Sequence, residues 1–164
     1  MKLCKPLWIV IALTVPTAAG CVDAGNVRQG GRAPSFALPA PDGSVVRSDS
    51  LRGQVVLLSF WSTTCGPCVK EVPELQQIED AGRVKVVSVA LDPAGWAPVR
   101  RFVDTHQIKY RVLLGGEEVF QRFDGYSLPY SLLLDESQRV VKVYRGAVTR
   151  AGVERDVRSI TAGG

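Results

Sequence analysis

Residue type and spacing point to chemistry in this 164-residue chain at Cys65-Gly66-Pro67-Cys68. The pair follows the apolar run Val55-Val56-Leu57-Leu58-Ser59-Phe60 and precedes a segment with helical periodicity. A strand that hands two cysteines to a helix N-terminus makes a reactive thiolate. The unpaired N–H groups and the positive dipole end of the helix favour S⁻ over SH at the first cysteine. Cys65 is therefore the candidate nucleophile. Cys68 lies one helical turn deeper, where it can attack the mixed disulfide that Cys65 forms and release the partner. Pro67 fits the first helical turn, where no N–H bond is lost. Zinc is the other use of a Cys-x-x-Cys pair, but it requires four ligands. The chain offers no second cysteine pair and a single histidine, His106, so no metal site is expected.

The elements that must position this pair are legible around it. Val55 to Trp61 reads as a strand buried on both faces. Residues Cys65 to about Ala81 read as a helix with Val69, Val72, Leu75 and Ile78 at helical spacing. Gly82 should stop that helix and Pro73 should kink it. Val84 to Leu91 is a second buried strand, and Pro98 to His106 a helix with Val99, Phe102 and Val103 on one side. A short strand at Val112 to Leu114 and a short helix at Glu117 to Phe123 follow. Tyr130 to Leu134 and Val140 to Tyr144 form a hairpin through Asp135-Glu136-Ser137-Gln138. Val153, Val157 and Ile160 mark a last helix over Arg150 to Ile160. Upstream, Phe36 and Leu38 precede the turn Pro41-Asp42-Gly43, Val45-Val46 make a short strand, and Ser48 to Gly53 form a capped helical turn. Strands alternating with helices and closed by a hairpin predict an α/β fold with a central mixed sheet flanked by helices.

The N-terminus reads differently. Lys2 and Lys5 form a positive stretch, Leu7 to Val15 an apolar core, and Thr17-Ala18-Ala19-Gly20-Cys21 a small-residue cleavage region. That is the layout of a secretory signal peptide; the apolar run is shorter than the roughly 20 residues a bilayer span needs. Ala18-Ala19-Gly20-Cys21 resembles a bacterial lipobox, with Ala18 where Leu is usual, which implies lipidation at Cys21. The expected organisation is a signal peptide over 1–20, a flexible Gly-rich tether over 21–33 and a globular domain over 34–164. Loss of Lys2 and Lys5 lowers the formal charge from +4 to +2, too small for a nucleic-acid partner. Cys4 leaves with the signal, Cys21 carries lipid, and Cys65 and Cys68 remain as the only thiol pair, free to cycle.

Phe60-Trp61 followed by Cys65-Gly66-Pro67-Cys68 resembles the active site of the thioredoxin superfamily. More narrowly, Ala33-Pro34-Ser35-Phe36, the run Leu51 to Trp61, Glu71-Val72-Pro73-Glu74-Leu75 and Gly146 look like the TlpA/ResA-type thiol-disulfide oxidoreductases. The resemblance spans about Pro34 to Ile160 and implies a thioredoxin-like fold with an N-terminal extension. It also implies a cis-proline dipeptide at Leu128-Pro129, opposite the cysteines, where the Leu128 backbone is free to pair with an extended client. Gly66 and Pro67 would share that client-binding surface, and Trp61 would join them by its motif position, with a core aromatic as the other reading. Glu71 matches an acid that the family places near the second cysteine. At i to i+3 from Cys68 it can take the thiol proton, although a solvated first-turn acid serving the helix dipole is the other reading. Ser59 departs from the pattern, since thioredoxins carry aspartate there and TlpA-type relatives often asparagine.

These features imply a membrane-tethered enzyme on the periplasmic side that reduces disulfides of exported proteins, expected to be a monomer. No nucleotide or flavin fingerprint is present, so no cofactor is expected and electrons must arrive by thiol exchange from another protein, which the resemblance implies is a membrane thiol donor. The resemblance suggests apocytochromes c or copper-site proteins among the clients. An oxidase or isomerase on the same fold is the alternative. A peroxiredoxin-like peroxidase is disfavoured by Leu58 where a proline belongs, and a copper-delivery module by the supply of one histidine.

Overall fold

A computed structural model describes residues 27–162. Two elements open the domain, β1 (Ala37–Pro39) and β2 (Val45–Arg47), an antiparallel pair followed by a 3₁₀ turn at Ser48–Leu51. The central sheet uses β3 (Val56–Trp61), β4 (Lys85–Ala90), β5 (Arg111–Leu114), β6 (Tyr130–Leu134) and β7 (Val140–Arg145) in the order β5-β4-β3-β6-β7. β3, β4 and β5 are parallel, and β6 and β7 run antiparallel to them, so the sheet is mixed as expected. The helices are α1 (Gly66–Asp80), α2 (Trp96–Thr105), α3 (Glu117–Arg122) and α4 (Arg150–Ala162).

Every residue of β3 is buried, because this strand lies at the sheet's centre and is covered on both faces. On one face Val56, Leu58 and Phe60 pack with Val87, Val89, Leu132 and Leu134 against Phe120 and Phe123. The Phe60 ring lies 5.4 Å from Phe120 and 5.3 Å from Phe123. On the other face Leu57 and Trp61 join Val86, Ala90 and Leu133 against α1, α2 and α4 through Val72, Leu75, Val99, Phe102 and Val153. Period-2 alternation thus assigns α1, and the cysteines it carries, to one side of the sheet.

Element types agree with the sequence reading, and the ends shift by one or two residues. The helix after the cysteines stops at Asp80, and Gly82 at φ +73° continues the chain in the left-handed region that glycine adopts without strain. It runs on through Pro73, which cannot supply the helical donor to the Val69 carbonyl. α2 begins earlier than expected, at Trp96, which puts Pro98 in its first turn. β1 was not anticipated from the sequence, because three residues ending in Pro39 carry too little alternation to announce a strand.

The tether needs correction over its second half. Residues 27–33 are not a free linker but a strap along the β6–β7 hairpin. Gly30 N–H donates to the Val140 carbonyl at 2.7 Å, Val140 N–H to Gly31 at 2.8 Å, and Ala33 N–H to Gln138 at 2.9 Å. Val27 N–H donates to Asp124 Oδ2 at 2.6 Å, and Arg139 Nη1 to the Gly30 carbonyl at 2.9 Å. Backbone pairing holds this segment where glycine content alone suggested flexibility. The signal peptide expected over 1–20 and the lipidation site at Cys21 lie outside the described residues. Among those described, no helix is long and apolar enough to cross a membrane.

Candidate active site

Cys65 caps α1 in extended backbone geometry, at φ −86° and ψ 99°, and its Sγ accepts the Cys68 N–H at 3.3 Å. In the reduced pair an N–H at this position would favour a Cys65 thiolate. Cys65 and Cys68 are joined as a disulfide with Cα atoms 5.3 Å apart. Their environments differ: Cys65 is half-buried, whereas Cys68 is 3% exposed. One sulfur is reachable by a partner and the other sits behind it. Gly66 and Pro67 are exposed beside them, and Pro67 occupies the first turn of α1.

Glu71 projects from the same face of α1 and is 2% exposed. Its Oε1 accepts the Val148 N–H at 2.6 Å, and its Oε2 has no partner. Burial pushes the carboxyl up to about 7, against the opposing pull of the Val148 N–H. A solvated first-turn acid is thereby excluded. A group that exchanges its proton near neutrality is suited to taking one from a thiol. Burial also raises the Tyr110 phenol, with the charge of Glu71 adding to the effect.

Ser59 is fully buried with its Oγ unpartnered, so it supplies no carboxylate. Sheet register sets Ser88 and Ser131 beside it on either side. All three serines are 0% exposed and share the α1 face. Nothing in the linear pattern announces that row, since the three positions are brought together only by strand pairing.

Burial selects between the two readings of Trp61. At 4% exposed, with its ring 4.8 Å from Phe102, it belongs to the core beneath the site and not to a client-binding surface. Phe102 in turn stacks on His106 at 4.0 Å, which accounts for the histidine as a packing residue. The Leu128–Pro129 bond is cis, as the resemblance implied. Register pairs Phe60 with Tyr130, so Pro129 lies beside Trp61, at the end of the sheet that carries the cysteines. Leu128 is half-buried and, like Cys65, packs against the α1-side core, while Gly146 N–H anchors the Pro129 carbonyl at 3.0 Å.

The sequence reading passed over Asp92. It directly follows the second buried strand, and the carboxyl ends of parallel strands are where α/β sheets place their sites. That position was the available signal.

Comparisons with known proteins agree with this geometry. The Redoxin family profile matches residues 28–160. The chain is 30% identical to the thiol-disulfide oxidoreductase ResA of Halalkalibacterium halodurans over 138 residues, 80% of this chain and 77% of that one. It is 29% identical to the ResA of Bacillus subtilis over 164 residues, 96% of this chain and 90% of that one. Among solved structures, a thiol:disulfide interchange protein of the thioredoxin family from Chlorobium tepidum superposes with a TM-score of 0.70 at 26% identity, covering 82% of this chain and 98% of that one. With its cysteine pair at a helix N-terminus, its mixed sheet and its cis-proline, the chain belongs to the Redoxin family as a TlpA/ResA-like thiol-disulfide oxidoreductase of the thioredoxin superfamily.

Proposed function

We propose that this enzyme works outside the cytoplasm, tethered to a membrane by a lipidated Cys21, and reduces disulfides of exported proteins. The observation that carries the reading is the graded site: a reachable Cys65, a buried Cys68 and a buried carboxyl at Glu71 that titrates near neutrality. In the reduced enzyme the Cys65 thiolate attacks one sulfur of a client disulfide. A Cys65–client bond forms, the client's S–S bond breaks, and the displaced client thiolate takes a proton. Cys68 then gives its proton to the Glu71 carboxylate and attacks Cys65 Sγ. The Cys65–Cys68 bond forms and the second client thiolate leaves. The client gains two electrons, and a membrane thiol donor returns the oxidised pair to its dithiol state. The exposed Gly66, Pro67 and the Leu128-Pro129 segment form the platform for an extended client strand, with apocytochromes c and copper-site proteins as client classes.

The Gly-Pro dipeptide supports the reducing direction, near thioredoxin's roughly −270 mV. Equilibration with glutathione or dithiothreitol gives the potential. A value well above roughly −200 mV, in the range of the oxidants, would reverse the assigned direction. Clients are identified by trapping on Cys68→Ser, whose mixed disulfides cannot be resolved. Recovery of exported cysteine proteins is expected, and a Cys68→Ser protein that traps none would overturn the client class.

A further inference from the structure

The turn that delivers Cys65 is held from another element. Leu91 N–H donates to the Trp61 carbonyl at 2.8 Å, closing the β3–β4 ladder, and the next residue is Asp92, 7% exposed. Both Asp92 carboxylate oxygens accept the Thr63 N–H at 3.2 Å, and the Thr63 hydroxyl donates to Oδ1. Thr63 lies 29 residues away in sequence and two before Cys65.

Bonds inside the turn close it without fixing it to the sheet. Ser62 Oγ and Thr64 Oγ1 are 3.0 Å apart, Thr64 N–H donates to Ser62 Oγ at 3.3 Å, and Cys65 N–H to the Ser62 carbonyl at 3.1 Å. Asp92 is itself fixed, because Gly95 N–H donates to its carbonyl at 2.9 Å in the turn that leads into α2. A buried carboxylate anchored at a strand end thus directs its hydrogen bonds to the residue that sets the approach to the nucleophile.

We propose that Asp92 is the positioning residue for Cys65: its carboxylate clamps Thr63 so that the Cys65 sulfur stays on the N-terminal N–H groups of α1. The inference rests on the reading of Cys65 as the exchanging thiol and deepens it. Position and charge make opposite demands here. If Asp92 acts through geometry, removing it frees the turn, the sulfur loses its N–H contact, and the Cys65 thiol becomes a weaker acid. If it acted through charge alone, removing a nearby anion would make the thiol more acidic.

The test is the pH dependence of Cys65 alkylation by iodoacetamide in the reduced full chain, for wild type, Asp92→Ala, Asp92→Asn and Thr63→Val. Asp92→Ala should raise the Cys65 midpoint by about one unit, a tenfold loss of thiolate below it. Asp92→Asn keeps an acceptor for the Thr63 N–H and a donor for its hydroxyl, so its midpoint should stay at or below wild type. Thr63→Val keeps the charge and loses one bond, and should show a smaller rise. An Asp92→Ala midpoint that falls or stays put overturns the proposal. If Asp92→Ala does not fold, absence of a rise in Thr63→Val overturns it equally. Alkylation does not involve client turnover. Failure here, with wild type still reducing a disulfide substrate, would remove the role of Asp92 and leave the exchange reading standing.

Discussion

Glu71→Gln keeps the shape of the side chain and an acceptor for the Val148 N–H, but removes the proton. In the oxidised protein, burial raises this carboxyl from 4.5 to about 7. Between those values the folded chain holds a proton that the unfolded chain has released. The resulting stability is complete below pH 4.5 and is lost as pH rises through 7, so wild type weakens across that window. The displacement corresponds to about 3 kcal/mol, most of which falls between pH 5 and pH 8. At 2% exposed, Glu71 needs no discount for solvent screening. The assay is urea unfolding of the oxidised wild type and E71Q at intervals from pH 5 to pH 8, compared as differences so that the other titrating groups cancel. E71Q should gain on wild type by about 2–3 kcal/mol over the range, most steeply above pH 5. A difference that stays constant with pH refutes a buried carboxyl held protonated near neutrality. The same variant should flatten the pH profile of Cys68 reactivity, because Ser59 offers no alternative acceptor.

Gly125→Ala should destabilise by about 1–3 kcal/mol, because a Cβ there would lie 2.0 Å from the Phe120 ring; thermal unfolding at wild-type stability would show that the loop before Tyr126 yields freely. Ser59→Ala should change the unfolding free energy by less than about 1 kcal/mol, or raise it, since it removes a buried hydroxyl with no partner. A loss beyond about 2 kcal/mol in urea unfolding would mean that this hydroxyl is satisfied in solution. Tyr130→Phe removes the 2.8 Å bond from the phenol to the Phe123 carbonyl and should cost about 1–2 kcal/mol by the same measurement, a loss that vanishes if the phenol is dispensable to the 123–130 loop.

Much of the fold was legible because apolar spacing reports which side of an element meets the core. Val72, Leu75 and Ile78 declared their face by helical spacing, and each packs on the α1 side of the sheet. The placement of the cysteine pair was legible for a related reason: a cysteine at the start of a helix meets that helix's N–H groups through its own local sequence, as the Cys68 N–H on Cys65 Sγ shows. The resemblance carried the cis bond at Leu128–Pro129 and the family assignment. Segments with neither a long apolar run nor a periodic pattern were not legible, and so β1 and the strap over 27–33 went unseen.

By itself, then, the sequence determined the order of the central strands and helices and the placement of the cysteine pair at the start of a helix. Tertiary structure decided what the polar residues around that pair can do. Glu71 titrates near 7 because packing takes it from water and joins it to Val148, 77 residues away. Trp61 is core because Phe102 of α2 covers it. The serine row exists only through strand register, and the Asp92 clamp spans two loops. Local patterning encodes which face is apolar, but the charge state and partners of a buried polar group depend on contacts between distant parts of the chain.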